Sequence, residues 1–321
     1  MSSSSIAGDQ TVSLAESVEC CRQVVTAYDR TFYVGSLLLP RPKRRALWAI
    51  YAWFRQKDEV IDGPGDRSMK QTLLDEWVEQ LQDLFSLSQP AIPTDIALIE
   101  AVQRYRIPIA PFQDMLRGQQ MDLDFNRYPT WEDLRLYCYC VAGTVGAASA
   151  FVLNLGHVQT WSFSGEECSR FQLGRGTGAV EAANGLITLG IAMQLTNILQ
   201  DVGADARRGR IYLPLADLKR FDDSEQQLFD AVVDRRWNAL MDYEIQRARS
   251  LYDRAEQQMS RLPHDCRWSL EAALIRYRQD LQAIEKRAYQ VFSDRPHVPI
   301  WWKARALGVA WWRSVTSAST R

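Results

Sequence analysis

The sequence predicts an all-α fold: a single-domain helical bundle whose apolar interior is large enough to enclose a central cavity. Three observations predict it. Apolar residues recur at three- and four-residue steps, in Leu47, Ile50, Tyr51 and Phe54 and again in Trp237, Leu240, Met241, Ile245 and Ala248. Runs that alternate apolar with polar, the mark of half-buried strands, are absent. Loop signals at Leu39-Pro40-Arg41-Pro42, Gly63-Pro64-Gly65, Ser88-Gln89-Pro90, the segment Ser162 to Gly178, and Arg295-Pro296 separate about eight to ten helices. No fixed-period repeat or Ser/Gly-rich linker divides the 321 residues, which suffice for one large core.

The opening MSSSSIAGDQT has neither the charged start and apolar run of a signal peptide nor the arginine content of a transit peptide, so residues 1–15 read as a disordered leader. The helical domain is expected over 16–297 and an aromatic, basic tail over 298–321. Basic and acidic residues number 38 and 39, a net charge of −1. No global field draws the chain to nucleic acid, and any charged ligand must be held locally. Six cysteines, Cys20, Cys21, Cys138, Cys140, Cys168 and Cys266, form no CxxC pair, and only three histidines accompany them. Free thiols in a reducing, cytoplasmic compartment are the simplest reading, and zinc is disfavoured.

The first chemical feature is Arg55-Gln56-Lys57-Asp58-Glu59-Val60-Ile61-Asp62-Gly63-Pro64. Asp58 and Asp62 stand four apart and share a helix face, and Gly63-Pro64 ends the helix just beyond them. Carboxylates at a helix C-terminus oppose its dipole by roughly 0.3–1 kcal/mol each, so a positive group is expected there. Further on, Leu136 to Gly156 carries no formal charge and is long enough to span a bilayer. Its Tyr137, Tyr139, Thr144, Ser149 and Asn154, with Gly143 and Gly146, favour a buried core helix instead. The small residues allow either close helix packing or a corridor for an apolar chain. From Gly156 to about Ala183, with Gly174 and Gly176, a long surface loop is expected.

A second acidic stripe follows: Asn197, Asp201 and Asp205 at i, i+4, i+8, extended backwards by Gln194. Arg207, Arg208 and Arg210 come directly after it, as Arg55 precedes the first. Either DxxxD alone reads most simply as a solvated face paired with Lys or Arg. Two of them at helix ends, in all-oxygen surroundings, suit a hard cation such as Mg²⁺, and arginine forks match phosphate oxygens. The rival reading, arginines that merely neutralise the aspartates, stays open from spacing alone. In the tail, Trp301, Trp302, Lys303, Arg305, Trp311, Trp312 and Arg313 combine indoles with cations, as segments at a membrane surface do, although the indoles would equally pack on the bundle.

These blocks resemble the head-to-head isoprenyl diphosphate synthases, the squalene/phytoene synthase family, and chiefly its phytoene-forming members. The resemblance rests on Tyr28 to Ser36 (YDRTFYVGS), Trp48 to Pro64 (WAIYAWFRQKDEVIDGP), Gly118 to Tyr128 (GQQMDLDFNRY), Tyr137 to Gly146 (YCYCVAGTVG), Gln194 to Pro214 (QLTNILQDVGADARRGRIYLP) and, more loosely, Tyr277 to Arg295. It implies an isoprenoid synthase fold in which Asp58, Asp62, Asn197, Asp201 and Asp205 hold Mg²⁺ or Mn²⁺, with no nicotinamide. It implies diphosphate contacts from Arg30, Thr31, Arg55, Arg208, Tyr277 and Arg295, with Gln194 and Asn197 in the same cavity. Tyr137 and Tyr139 are expected to steady a carbocation with their rings.

The implied activity joins two geranylgeranyl diphosphates through a cyclopropyl diphosphate to phytoene, in carotenoid biosynthesis. Expected neighbours are a membrane surface, touched peripherally, and other isoprenoid or carotenoid enzymes. Two alternatives stand beside it: a C15-specific dehydrosqualene or squalene-type synthase, and a helical assembly factor that has lost the chemistry. Intact carboxylates argue against the second. The chain departs from the family where Phe54-Arg55-Gln56-Lys57 replaces the frequent Cys-Arg-Arg-Thr, at Cys140, where an aromatic is common, and in the longer 156–178 loop.

Overall fold

A computed structural model describes residues 12–155, 178–259, 262 and 264–295. Among the described residues thirteen α-helices and one π-helical turn follow one another, and extended backbone pairs once, in an isolated bridge between Arg127 and Ile211. The helices are α1 (Leu14–Tyr28), α2 (Arg30–Ser36), α3 (Arg41–Asp62), α4 (Arg67–Ser86), α5 (Asp95–Tyr105), α6 (Ala110–Asp124), α7 (Trp131–Cys138), α8 (Thr144–Val152), α9 (Gly178–Arg207), α10 (Leu215–Arg220), α11 (Glu225–Phe229), α12 (Arg235–Met259) and α13 (His264–Lys286). The π-turn, Tyr139–Gly143, joins α7 to α8. The count exceeds the expected eight to ten because α2, α10 and α11 span only 7, 6 and 5 residues, too short to show a period.

Helix α3 stops where Gly63-Pro64 predicts, with Gly63 as its cap. Helix α9 starts earlier than expected: Gly178 to Ala183 belong to its first turns, not to the loop. The glycine-rich approach hides that Ala182 and Ala183 are fully buried. The leader up to residue 11, residues 156–177 of the expected loop, and the tail from residue 296 lie outside the described residues.

Most of α9 is buried, as a helix apolar on every side must be, with α8, the π-turn and α12 packed around it. Trp131–Val152 and Gly178–Arg207 are both long and apolar enough to cross a membrane, but 61% and 78% of the apolar 18-residue part of each is buried inside the bundle. The small residues are used for close packing. A Cβ on Gly146 would stand 2.4 Å from the Leu186 carbonyl oxygen, and one on Gly190 2.5 Å from that of Ala142. Backbones of α8 and the π-turn therefore rest directly on α9.

A strap of main-chain hydrogen bonds ties the loop after α6 to the loop after α9. Ile211 N–H donates to Asn126 O, Leu215 N–H to Tyr128 O and Ala216 N–H to Pro129 O, each at 3.0 Å. Segments some 85 residues apart are thereby fixed side by side, roughly as an edge pairing would fix two strands.

Candidate active site

Helices α2, α3, α6, α8, α9 and α13 and the π-turn enclose a cavity of about 300 Å³. Along α3 its lining runs Leu47, Tyr51, Phe54, Arg55, Asp58; along α9 it runs Leu186, Leu189, Gly190, Met193, Gln194, Asn197. Both series cover about 16 Å of helix and pass from apolar to polar towards the C-terminus. The result is a greasy tunnel with a polar mouth, its wall shared by the two helices that carry the acidic stripes.

At the mouth, the last turns of α3 present Asp58, Glu59 and Asp62. Arg55 Nη1 donates to Asp58 Oδ2 at 2.7 Å, its other arm pairs with Glu59, and its guanidinium lies 4.7 Å from the centre of the Tyr28 ring. Gln119 Nε2 donates to Asp58 Oδ1 at 3.4 Å. The positive group expected at this helix end is Lys70, whose ammonium donates to the carbonyls of Ile61 (2.6 Å) and Gly63 (2.7 Å). It serves the backbone rather than the carboxylates.

The second stripe is completed from a distance. A Cβ on Gly203, midway between Asp201 and Asp205, would lie 2.4 Å from Phe292 Cα, so the segment after α13 crosses α9 at this point. Arg207 Nη1 donates to Phe292 O at 2.8 Å, which anchors the crossing. Arg295 follows, with its Nε 3.3 Å from Asp201 Oδ1 and its Nη2 donating to Asn197 Oδ1 (3.2 Å) and Gln200 Oε1 (3.1 Å).

Electrostatics join the two stripes. Burial first, then the charge of Asp62, pushes Asp58 up to about 6 against the pull of Arg55. Burial and Asp201 push Asp205 up to about 7, opposed by Arg208 and Arg210, and Asp62 adds to the rise. Asp122 also rises to about 7, through burial and Asp62, despite Arg210. Asp201 is raised by burial and relieved by Arg295 and Arg208. Asp62 is thus within electrostatic reach of carboxylates on α3, α6 and α9. Crowded like charges of this kind are relieved by cations.

The donors available are carboxylate and amide oxygens, which fits Mg²⁺ or Mn²⁺. Among the described residues no three acidic, cysteine or histidine side chains close on a single point. A hard cation here would complete its shell with water and substrate oxygens, as Mg²⁺ commonly does.

Of the residues the sequence singled out, Arg55, Asp58, Gln194, Asn197 and Tyr277 line the cavity; Arg295 reaches the lining residue Asn197 and Asp201 one turn beyond it, and Asp62, Asp205 and Arg208 are outside the lining. Arg30 is exposed and outside the lining, and the side chain of Thr31 lies outside the described residues. Tyr137 and Tyr139, expected to steady a carbocation, are not among the residues that line this cavity. Tyr137 O–H donates to Asp122 Oδ2 at 3.1 Å and Tyr139 O–H to Asp114 Oδ2 at 2.8 Å, both buried behind the wall. Lys57 does not stand in for the missing arginine either. It points away from the mouth, 4.5 Å from the centre of the Trp77 ring, and burial lowers it to about 8 while Asp95 opposes the drop.

The sequence reading passed over Asp29, Gln119, Asp122 and Tyr212. Asp122 accepts from Tyr212 O–H (2.9 Å) and Arg210 Nη1 (3.3 Å) as well as from Tyr137, and the loop strap holds these partners in place. Its only signal was Asp122-Leu123-Asp124 within the Gly118 to Tyr128 block. Because Tyr139 acts behind the wall, Tyr139→Phe is expected to cost about 1–2 kcal/mol of stability and to leave turnover within a few-fold. A loss of turnover without loss of stability, measured by thermal melting beside steady-state kinetics, would place the phenol in the chemistry after all.

Comparison with known proteins agrees with this geometry. The family model described as squalene/phytoene synthase matches residues 25–302. A 15-cis-phytoene synthase of Synechococcus elongatus is 45% identical over 305 residues, 94% of each chain. A phytoene synthase of Arthrospira platensis is 46% identical over 296 residues, 92% of this chain and 93% of that one. A solved dehydrosqualene synthase superposes with a TM-score of 0.80 at 29% identity, covering 95% of this chain and 98% of its own. With the match running through both acidic helices and the walls of the tunnel between them, the chain belongs to the squalene/phytoene synthase family.

Proposed function

We propose that the chain is a prenyltransferase that condenses two geranylgeranyl diphosphates into phytoene, releasing two diphosphates, in carotenoid biosynthesis. The observation that carries this reading is the 45% identity, across 94% of both chains, to a 15-cis-phytoene synthase. The tunnel with its acidic, arginine-flanked mouth supports it.

Asp58, Asp62, Asn197, Asp201 and Asp205 are the residues that would hold Mg²⁺ or Mn²⁺, which when bound neutralises diphosphate charge and eases departure of the leaving group. Arg55, Arg208 and Arg295 stand where phosphate oxygens would be gripped, and their charge favours the diphosphate as it separates. The apolar walls keep the tail extended and water away from the carbocation. Loss of the first diphosphate lets the allylic cation alkylate a double bond of the second substrate, and a proton leaves as the cyclopropyl ring closes. Loss of the second diphosphate, rearrangement and loss of another proton give the hydrocarbon, with no change in overall redox state and no need of a nicotinamide. The reading includes a cytoplasmic location with peripheral membrane contact, and transfer of product to neighbouring carotenoid enzymes.

Purified protein given C20 or C15 allylic diphosphate with Mg²⁺ tests the reading directly. A C40 hydrocarbon from the C20 substrate is expected; a C30 hydrocarbon from the C15 substrate alone would move the assignment to a dehydrosqualene-type synthase.

A pH dependence follows from the mouth. Asp58, near 6, and Asp122 and Asp205, near 7, are all raised by folding. Such a group adds stability below its unfolded value, near 4, and that stability is lost as pH rises through the folded value. In EDTA the melting temperature should therefore fall from about pH 5 to about pH 8, and Mg²⁺ should raise it more at the alkaline end. Equal gains from Mg²⁺ at both ends would contradict a cation-relieved acidic mouth.

A further inference from the structure

Helix α2 and the turn after it form a wall one helix thick between the tunnel and the outside. Phe32, Gly35, Ser36 and Leu39 face the tunnel, an i, i+3, i+4, i+7 stripe. On the opposite side the stripe Arg30, Val34, Leu37, Leu38 faces outward, and Val34, Leu37 and Leu38 are 37%, 42% and 49% exposed. Arg44 Nη1 donates to the Leu37 carbonyl at 3.0 Å, which fixes the turn with both leucines displayed. Helix α3 then opens with Arg41 and Arg45, both exposed.

Charge along the segment that forms this corner has one sign. Between Asp29 and Asp58 the sequence contains no Asp or Glu, and every charged residue there is Lys or Arg. The whole chain carries −1, so this positive field is local. An apolar stripe flanked by exposed arginines is complementary to a bilayer that offers both acyl chains and anionic headgroups.

We infer that the α2–α3 corner, through Val34, Leu37 and Leu38 with Arg41 and Arg45, is the surface that docks this protein on an anionic lipid bilayer. The biological sense of this rests on the hydrocarbon-forming reading, since an apolar product held behind α2 would lie one helix away from lipid. The docking itself is testable without it.

The full chain is floated with vesicles of phosphatidylcholine alone or mixed with phosphatidylglycerol. Binding to the mixed vesicles is expected to be tighter and to weaken with salt. Leu37→Ser with Leu38→Ser should lower partitioning roughly tenfold on both compositions, since each leucine is about half-exposed. Arg41→Gln with Arg45→Gln should lower it roughly fivefold per arginine on the mixed vesicles only. Leu38→Trp should raise it several-fold at an unchanged melting temperature, which separates the gain from apolar surface exposed by misfolding. All three variants should keep wild-type turnover on detergent-dispersed substrate. Unchanged binding in both the leucine and the tryptophan variants would overturn the inference, as would binding lost only when residues 298–321 are deleted. If the vesicle pattern holds but no C40 product forms, the reaction assignment fails and the docking surface stands.

Discussion

Replacing Asp58 or Asp201 with asparagine is expected to lower turnover on the order of a thousandfold, the scale on which one preorganised charge contact at a reacting centre acts. The two residues sit on different helices, yet both belong to the mouth on which Asp62, Asp122 and Asp205 converge. Stability should move the other way for Asp58. Its ionised form is opposed by burial and by Asp62, so Asp58→Asn should hold or raise the melting temperature in metal-free buffer near pH 8. Asp201→Asn gives up its contact with Arg295 and should be near neutral. Wild-type turnover in both variants, with folding confirmed by circular dichroism, would remove the assigned roles.

Gly146→Val should produce the largest loss of stability of any single change proposed here, about 2–4 kcal/mol, because even its Cβ meets the Leu186 carbonyl at 2.4 Å. For a chain of this size that corresponds to a drop of roughly 3–6 °C in melting temperature. Helices α8 and α9 would have to separate, and with them the tunnel wall that Gly146 and Leu186 share. Gly209→Ala is the comparison. It has a left-handed backbone (φ +75°) but open space around it, so about 1 kcal/mol is expected. Similar losses at both sites, read from thermal or urea melts, would show that close helix approach is not what Gly146 provides.

Both acidic stripes could be read from the sequence because spacing of four on a helix is local information, and so could the stop at Gly63. Asp122 could not. A carboxylate near a helix end looks solvated until Arg210 and Tyr212, 88 and 90 residues on, are brought against it. That Tyr137 and Tyr139 are outside the cavity lining was hidden for a related reason. Their positions are set by Asp122 and Asp114 on α6, 15 and 25 residues away in sequence, which hold the two phenols. Lys57 shows the same limit from the other side: its neighbour Asp58 reaches the mouth, while roughly 100° of helical rotation carries the lysine to Trp77.

The crossing of Val291 and Phe292 over Gly203 also bears on how the enzyme is made. Asp58, Asp201 and Arg295, which pairs with Asp201 and Asn197, leave the ribosome in that order. A nascent polypeptide on the ribosome therefore holds both acidic helices before it holds the cation that braces the second of them. Asp201 and Asn197 would thus gain their guanidinium partner only once residues 291–295 have been made, and a chain cut ahead of Val291 would leave both without it.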